Sequence, residues 1–485
     1  MKDIHQLLNQ ADAITIAGHL KSKDFTPQEL LDTVLERVEK VNPHIQAITE
    51  LNINSARNQL KKLDVQQSKL AGIPTFFKDL FTSCQGMRVT NGSLALNNVI
   101  AENDDHLMQR YKSAGIILLG ATVSPEFGTS YTTESTRFGS VRSPWNLEHS
   151  AGGSSGGAAA VVAARITPFA HGNDGGGSIR VPASCCGVFG LKPSRGLMPN
   201  GPFSGEGWAG MGTPHAITLS VRDSAALLDL TAGADLGAPY AAPKDSQTCY
   251  LKSLNQPIKK LKIAMINTID PWGIDKNAKL AVEHAAKLCE SLGHYVETTS
   301  LPIQLEYFLK DCFTIIGANT HEYIELLSSI QGKPIDLHLL EPRTRVILSH
   351  GKKLSGLEYV RAISNIHALG RTFARMLENY DVILTPTLAK APPRLGELDS
   401  FNDKLTLEEI IEKFHSYSPF TAIFNATGQP AMSVPLYWTE KGLPLGAHFA
   451  GRFGEEITLL QLANQLEQQQ PWLTRIPPIS ATNLL

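Results

Sequence analysis

Glycine is crowded into two places that a flexible linker does not explain. Ala151-Gly152-Gly153-Ser154-Ser155-Gly156-Gly157 runs straight into Ala158-Ala159-Ala160-Val161-Val162-Ala163-Ala164, which reads as a helix of small residues. Gly172-Asn173-Asp174-Gly175-Gly176-Gly177-Ser178-Ile179-Arg180 follows and continues into Val181-Pro182-Ala183. Linkers do not enclose apolar helices. Glycine at this density serves backbone conformations that other residues reach only at a cost, so that main-chain N–H groups can converge on one point. Each cluster also carries serine, and a hydroxyl beside converging amide donors supplies the nucleophile and the oxyanion hole of acyl transfer.

A serine needs a group to take its proton. Of the 15 histidines, His149, His171 and His215 stand nearest the glycine clusters. Lys78 is the other candidate: Phe76, Phe77, Leu80 and Phe81 surround it in a strand-like run, and desolvation lowers a lysine pKa toward neutrality. A strand lysine can also snorkel to the surface. The residues alone leave both bases open, because triads assemble in space and not along the chain.

Composition narrows the partners. The chain has 485 residues, 42% of them hydrophobic, and 44 basic against 46 acidic side chains. A net charge of −2 gives no electrostatic reason to bind nucleic acid or an acidic membrane. No apolar run approaches the roughly 18 to 20 residues of a spanning helix, and the start, Met1-Lys2-Asp3-Ile4-His5-Gln6, has no apolar segment of a signal peptide. The six cysteines (Cys84, Cys185, Cys186, Cys249, Cys289, Cys312) form no C-x-x-C pair and no zinc-ligand spacing with histidine. Reduced thiols in a cytoplasm and no metal are the expectation.

The elements alternate. Thr26-Pro27-Gln28-Glu29 starts a helix with a capping box, Leu30, Leu31, Val34, Leu35, Val38 and Val41 share its face, and Asn42-Pro43 is expected to stop it. A helix over 105–114 precedes a buried strand at 116–119, and strand, helix and strand follow over 261–266, 277–292 and 295–298. Later strands are expected at 381–384, 432–436 and 445–450, with a final helix over 455–468. The glycine-rich stretch 205–212 reads as a surface or pocket-lining loop, and 236–254 as an Ala/Pro-rich connection. The pattern predicts an α/β fold: a single large domain with a central mixed sheet covered by helices on both faces. Its parts are N-terminal helices over about 1–60, a core over about 70–235 and a sheet-completing part over about 255–485.

These residues resemble the amidase signature family of serine hydrolases. The resemblance rests on Gly72-Ile73-Pro74 with Lys78-Asp79, on the two glycine clusters, on Gly187-Val188-Phe189-Gly190-Leu191-Lys192-Pro193-Ser194 and on Ser220-Val221-Arg222-Asp223. Later matches are Gly428-Gln429-Pro430-Ala431 and Gly446-Ala447-His448-Phe449-Ala450-Gly451, so the resemblance spans nearly the whole chain. It implies a Ser-cisSer-Lys triad: Ser178 as nucleophile, Ser154 as bridging serine after a cis peptide, and Lys78 as base. It also implies an oxyanion hole from the amides of Gly175, Gly176, Gly177 and Ser178. Ser155, Asp174 and Arg180 would support the loops, and Trp208, His215 and Cys312 could line the pocket. The implied activity is hydrolysis of a small-molecule amide to acid plus amine or ammonia, without metal or cofactor, by a monomer or homodimer.

Many members read Thr-Asp-Thr-Gly-Gly-Ser where this chain has Asn173-Asp174-Gly175-Gly176-Gly177-Ser178. This form, with the adjacent Cys185-Cys186, is similar to the branch of general amidases and cyclic-oligoamide hydrolases. The alternatives are a glutaminase-type subunit of a tRNA-dependent amidotransferase and a non-catalytic amide-binding or scaffold protein. Gly152-Gly153-Ser154-Ser155-Gly156 also satisfies the nucleophile-elbow pattern, but that motif needs a preceding strand and 144–149 is a poor one.

Overall fold

Neighbouring residues on the inner strands belong to different cores, and this sets the architecture. In the strand Val382–Pro386, Val382 and Leu384 enter one hydrophobic cluster and Ile383 enters another. Met432 and Ala431, Phe449 and Ala450, and Ile263 and Ala264 divide the same way. Strand side chains alternate faces with period two, so both faces of this sheet are covered. The structure, a computed structural model, describes residues 3–245 and 247–485. Met1 and Lys2 of the polar start and Ser246 of the Ala/Pro-rich connection lie outside the described residues.

The strands that build the two larger sheets are, in chain order, β1 (Ile48–Leu51), β2 (Pro74–Lys78), β3 (Ile117–Thr122), β4 (Phe169–Asp174), β5 (Phe189–Lys192), β6 (Thr213–Thr218), β7 (Lys262–Met265), β8 (Tyr295–Thr298), β9 (Val382–Pro386), β10 (Ala431–Trp438) and β11 (Pro444–Gly451). Eight of them form one mixed sheet in the order β8-β7-β9-β11-β10-β5-β6-β4. β7 runs parallel to β8 and β9, and the remaining pairs are antiparallel. Helices Lys276–Ser291 and Glu456–Gln469 feed the first core, and Leu305–Gln331 and Gly356–Asn379 feed the second. This is a single α/β domain with a large mixed sheet flanked by helices.

A three-stranded sheet, β1-β3-β2, stands against the β4 edge. Thr75 Oγ1 donates to Phe169 O (2.6 Å), Thr167 Oγ1 to Pro74 O (2.7 Å) and the Lys78 N–H to His171 Nδ1 (3.2 Å). β2 and β4 therefore end together, at Lys78 and at Asp174. Between them in sequence, the helix Gly156–Ala163 is buried at every residue, which its small side chains permit.

Four expectations need correction. The first long helix runs Pro27–Ile45, through Pro43. Proline so near the end forfeits only the bond to the Glu39 carbonyl, and Gln46, in a left-handed conformation, closes the helix by donating to Asn42 O (2.8 Å). The strand around Lys78 stops at Lys78, where Leu80 N turns back onto Lys78 O (2.9 Å) and leaves Phe81 half exposed at φ +49°. Residues 146–150, of poor strand composition, do form a strand, but in a separate ribbon with Arg142–Ser143. The last helix is the single turn Ala481–Leu484, after Glu456–Gln469. Among the described residues no helix is long and apolar enough to cross a membrane.

Candidate active site

Lys78 closes β2 with its side chain wholly buried. Nζ donates to Ser154 Oγ (2.8 Å), to Asn173 Oδ1 (2.6 Å) and, at 3.4 Å, to Asn173 O. Burial pushes the ammonium well below its usual pKa, and the negative charge of Asp174 offsets only part of that. The Gly153–Ser154 peptide is cis. Thr132 is the reason residue 153 has no side chain: a β-carbon there would lie 2.5 Å from Thr132 O. Thr133 Oγ1 donates to Gly152 O (2.8 Å) and accepts from Gly156 N (3.0 Å), which fastens the first glycine loop on both sides of Ser154. The two serine loops are joined by Ser155, whose N–H donates to Ser178 O (3.1 Å) and whose Oγ donates to Asn173 O (3.1 Å). No hydrogen bond links Ser154 Oγ to Ser178 Oγ among the described residues.

The second loop is held from behind, one peptide at a time. Asn425 Nδ2 donates to Asp174 O (2.8 Å), Tyr131 OH (2.9 Å) and Thr421 Oγ1 (2.7 Å) both donate to Gly176 O, and Val181 N donates to Gly177 O (2.7 Å). With their carbonyls tied back, the Gly175 and Ser178 amides keep no acceptor within the described protein, nor does that of Gly176. Gly177 differs from the expectation of four free donors. Its N–H donates to Asp174 Oδ1 (2.7 Å), because Asp174 caps its own loop. Asp174 and Arg180 form a fully buried bidentate pair, Nε to Oδ2 and Nη2 to Oδ1, each 2.9 Å. Burial alone would raise the Asp174 pKa, but the Arg180 charge and hydrogen bonds hold the carboxyl well below the usual range. Arg180 also reaches Thr421 O and His448 Nε2, each at 2.9 Å.

Ser178 opens onto a cleft with about 550 Å³ of empty space, its mouth included. Gly175 and Gly176 form its floor, and Trp208, Met211, Cys312, Phe313, Ile316 and Phe414 line its walls. Of the three residues expected to line the pocket, Trp208 and Cys312 border this cleft. His215 does not: it lies on β6, 1% exposed, with Nε2 against Ser224 Oγ (2.8 Å). The strand register places it opposite Gly172, behind the site. His149 Nδ1 meets Pro392 O (2.9 Å) and His171 Nδ1 accepts from the Lys78 backbone, so no histidine of the three touches either serine. Among the described residues no group of three or more His, Cys, Asp or Glu side chains is arranged to hold a metal.

Tyr131, Asn425 and Thr421, which fix the loop, and Phe313, Phe414 and His415 in the wall carry no sequence signal of their own. Gly175 does carry one, as glycine where the common pattern of the resembled family reads threonine. A β-carbon at Gly175 would sit 2.8–2.9 Å from the Trp208 ring, so the indole occupies the space that a side chain would take. Gly175→Ala should therefore displace the indole and lower kcat/KM about a hundredfold, the scale expected for a shifted reacting geometry. Unchanged kcat/KM on the same amide would show that the Trp208 contact plays no part.

The amidase family model matches residues 29–460. The chain belongs to the amidase signature family. A curated relative from Paenarthrobacter ureafaciens, 6-aminohexanoate-cyclic-dimer hydrolase, is 34% identical over 481 residues, 96% of each chain. The structure of a 6-aminohexanoate cyclic dimer hydrolase complexed with substrate superimposes with a TM-score of 0.91 at 32% identity, covering 97% of this chain and 99% of that one. A bacterial aryl acylamidase of the same family superimposes with a TM-score of 0.87 at 26% identity, over 96% and 98%. This amidase is accordingly a hydrolase of carbon–nitrogen bonds other than peptide bonds.

Proposed function

We propose that Ser178 is the nucleophile, Ser154 the proton relay and Lys78 the base in hydrolysis of an uncharged amide with an apolar acyl part. The observation that carries this reading is the 2.8 Å contact of a buried, neutral-leaning Lys78 amine with Ser154 Oγ. As the substrate carbonyl seats, the Ser178 hydroxyl turns onto Ser154 Oγ. Lys78 takes the Ser154 proton while Ser154 takes that of Ser178, and Ser178 Oγ bonds to the amide carbon. The carbonyl oxygen gains the negative charge and meets the amides of Gly175, Gly176 and Ser178. Collapse breaks the C–N bond, and the relay runs back to protonate the departing amine. Water then repeats the sequence on the ester, giving the acid and free Ser178. Asp174 and Arg180 support the donor loop, and Ser155 joins it to the relay.

The cleft wall supports the choice of substrate. Among the described residues no Asp, Glu, Lys or Arg lines it, and burial pushes the His415 imidazole down to about 4 and the Tyr131 phenol up, so that both rings are uncharged near neutral pH. A charged acyl group would lose water there without gaining a counter-ion. Neutral amides like the cyclic dimer named for the Paenarthrobacter ureafaciens relative are the first to test. Free glutamine, with its ammonium and carboxylate, suits this wall poorly, which argues against the amidotransferase-subunit reading. The six unpaired cysteines support a reducing compartment, the cytoplasm, and we infer a monomer or homodimer there.

The test is a screen of aliphatic, aryl, amino-acid and cyclic oligomeric amides with the purified protein alone, by amine detection. Neutral acyl groups should exceed matched charged ones in kcat/KM by about a hundredfold or more, about 2.7 kcal/mol. Equal rates would refute the substrate class, and glutamine turnover only with co-purifying subunits would favour the amidotransferase.

A further inference from the structure

We infer that Asn173 is a positioning residue that aims the Lys78 lone pair at Ser154, and so sets the direction of proton transfer. This rests on the proposed role of Lys78 as base.

Lys78 Nζ has three oxygen neighbours: Ser154 Oγ, Asn173 Oδ1 and Asn173 O. They differ in kind. Ser154 carries a hydroxyl that can donate or accept, whereas both Asn173 oxygens only accept. The protonated amine has three N–H groups and can donate to all three. The neutral amine has two N–H groups and one lone pair. Only one arrangement satisfies every atom: the two N–H groups point at Asn173 Oδ1 and O, and the lone pair faces the Ser154 O–H. A neutral amine without Asn173 would be free to turn an N–H toward Ser154, and would then be unable to take its proton.

The orientation of the Asn173 amide is fixed by its other end. Nδ2 donates to Leu80 O (2.7 Å), two residues beyond Lys78, so Oδ1 has to face the lysine. A flipped amide would set N–H against the amine and oxygen against a carbonyl. The Leu80 bond also pins the turn in which β2 ends. The Asn173 carbonyl is shared with Ser155 Oγ (3.1 Å), which ties the same acceptor to the loop of the relay serine.

The other titratable groups facing Lys78 are few. Asp174 is committed to Arg180. His171, against the Lys78 N–H, is pushed by burial down to about 3 and stays neutral. Asp79, next in the chain, accepts from the Thr90 and Asn91 N–H groups. A new carboxylate at position 173 would therefore add to the charge of Asp174, which reaches Lys78 without touching Nζ, and would be in direct contact with the amine.

Two substitutions test this, with kcat, KM and their pH profiles measured on one neutral amide. Asn173→Asp places a carboxylate on Nζ, which favours the ammonium. The acid limb of kcat/KM should move up by about 1–3 pH units, with activity recovering on the alkaline side. Asn173→Leu removes the acceptor at similar size, and kcat should fall about a hundredfold with little change in KM. A folding or packing role for Asn173 would lower activity equally at every pH. An unmoved acid limb in Asn173→Asp, or wild-type kcat in Asn173→Leu, overturns the proposal; if the Asp variant does not fold, the Leu variant decides. Failure of the underlying reading shows separately, as retained turnover in Lys78→Met.

Discussion

Ser178→Ala should abolish turnover of every amide the wild type cleaves, lowering kcat by about 10⁶-fold, the scale found when a serine nucleophile is removed elsewhere. The loss is expected to be chemical. Ser178 is 6% exposed and its Oγ holds no hydrogen bond among the described residues, so the variant should melt like the wild type. Its backbone still receives the Ser155 N–H, and the amides of Gly175, Gly176 and residue 178 remain in place. Substrate should still bind, with KM near the wild-type value. A fluorophosphonate, which reports the activated hydroxyl, should label Ser178 in the wild type and nothing in the variant. Retained turnover would remove Ser178 from its role, and an adduct on Ser154 by mass spectrometry would exchange the two serines.

Lys78→Met should cut kcat by about 10²–10⁴-fold, the range of general-base removal, with the fold preserved. Its stability signature is more discriminating. The folded pKa of Lys78 is depressed, so between that lowered value and the usual 10.5 the unfolded chain holds a proton that the folded chain has lost. Stability therefore rises with pH across that window. Removing the lysine removes this rise. Thermal midpoints measured from neutral pH to about 10 should climb less steeply in the variant than in the wild type. Parallel curves would mean that Lys78 is charged in the fold, and a charged lysine cannot be the base.

Much of the site was legible because glycine advertises backbone. Both loops, the serines within them and the small-residue helix between are contiguous in sequence, and Lys78 stands out as a charge among phenylalanines. The capping box at Thr26 and Glu29 marked the first long helix for the same local reason. Pairings across long separations left no such mark. Asn173 was visible as a departure from the common family pattern, yet its partner Lys78 lies 95 residues away, and nothing local joins them. Tyr131 reaches the loop from an irregular segment 45 residues before Gly176, and Thr421 and Asn425 reach it from a short helix more than 240 residues later, and nothing local announces such contacts. His215 failed for the converse reason. It is near the cluster in sequence, but strand alternation and the register with β4 turn it away. The edge position of β4 itself follows from sheet order, which apolar periodicity does not encode.

The peptide between Gly176 and Gly177 is anchored at both poles, its oxygen by Tyr131 and Thr421 and its hydrogen by Asp174. Its neighbours on either side consequently present their N–H dipoles in a fixed pose before any ligand arrives. Water dipoles would have to swing round as negative charge builds on the attacked carbonyl, and these do not. The work of orienting them is done once, when the chain folds, and every later turnover inherits it.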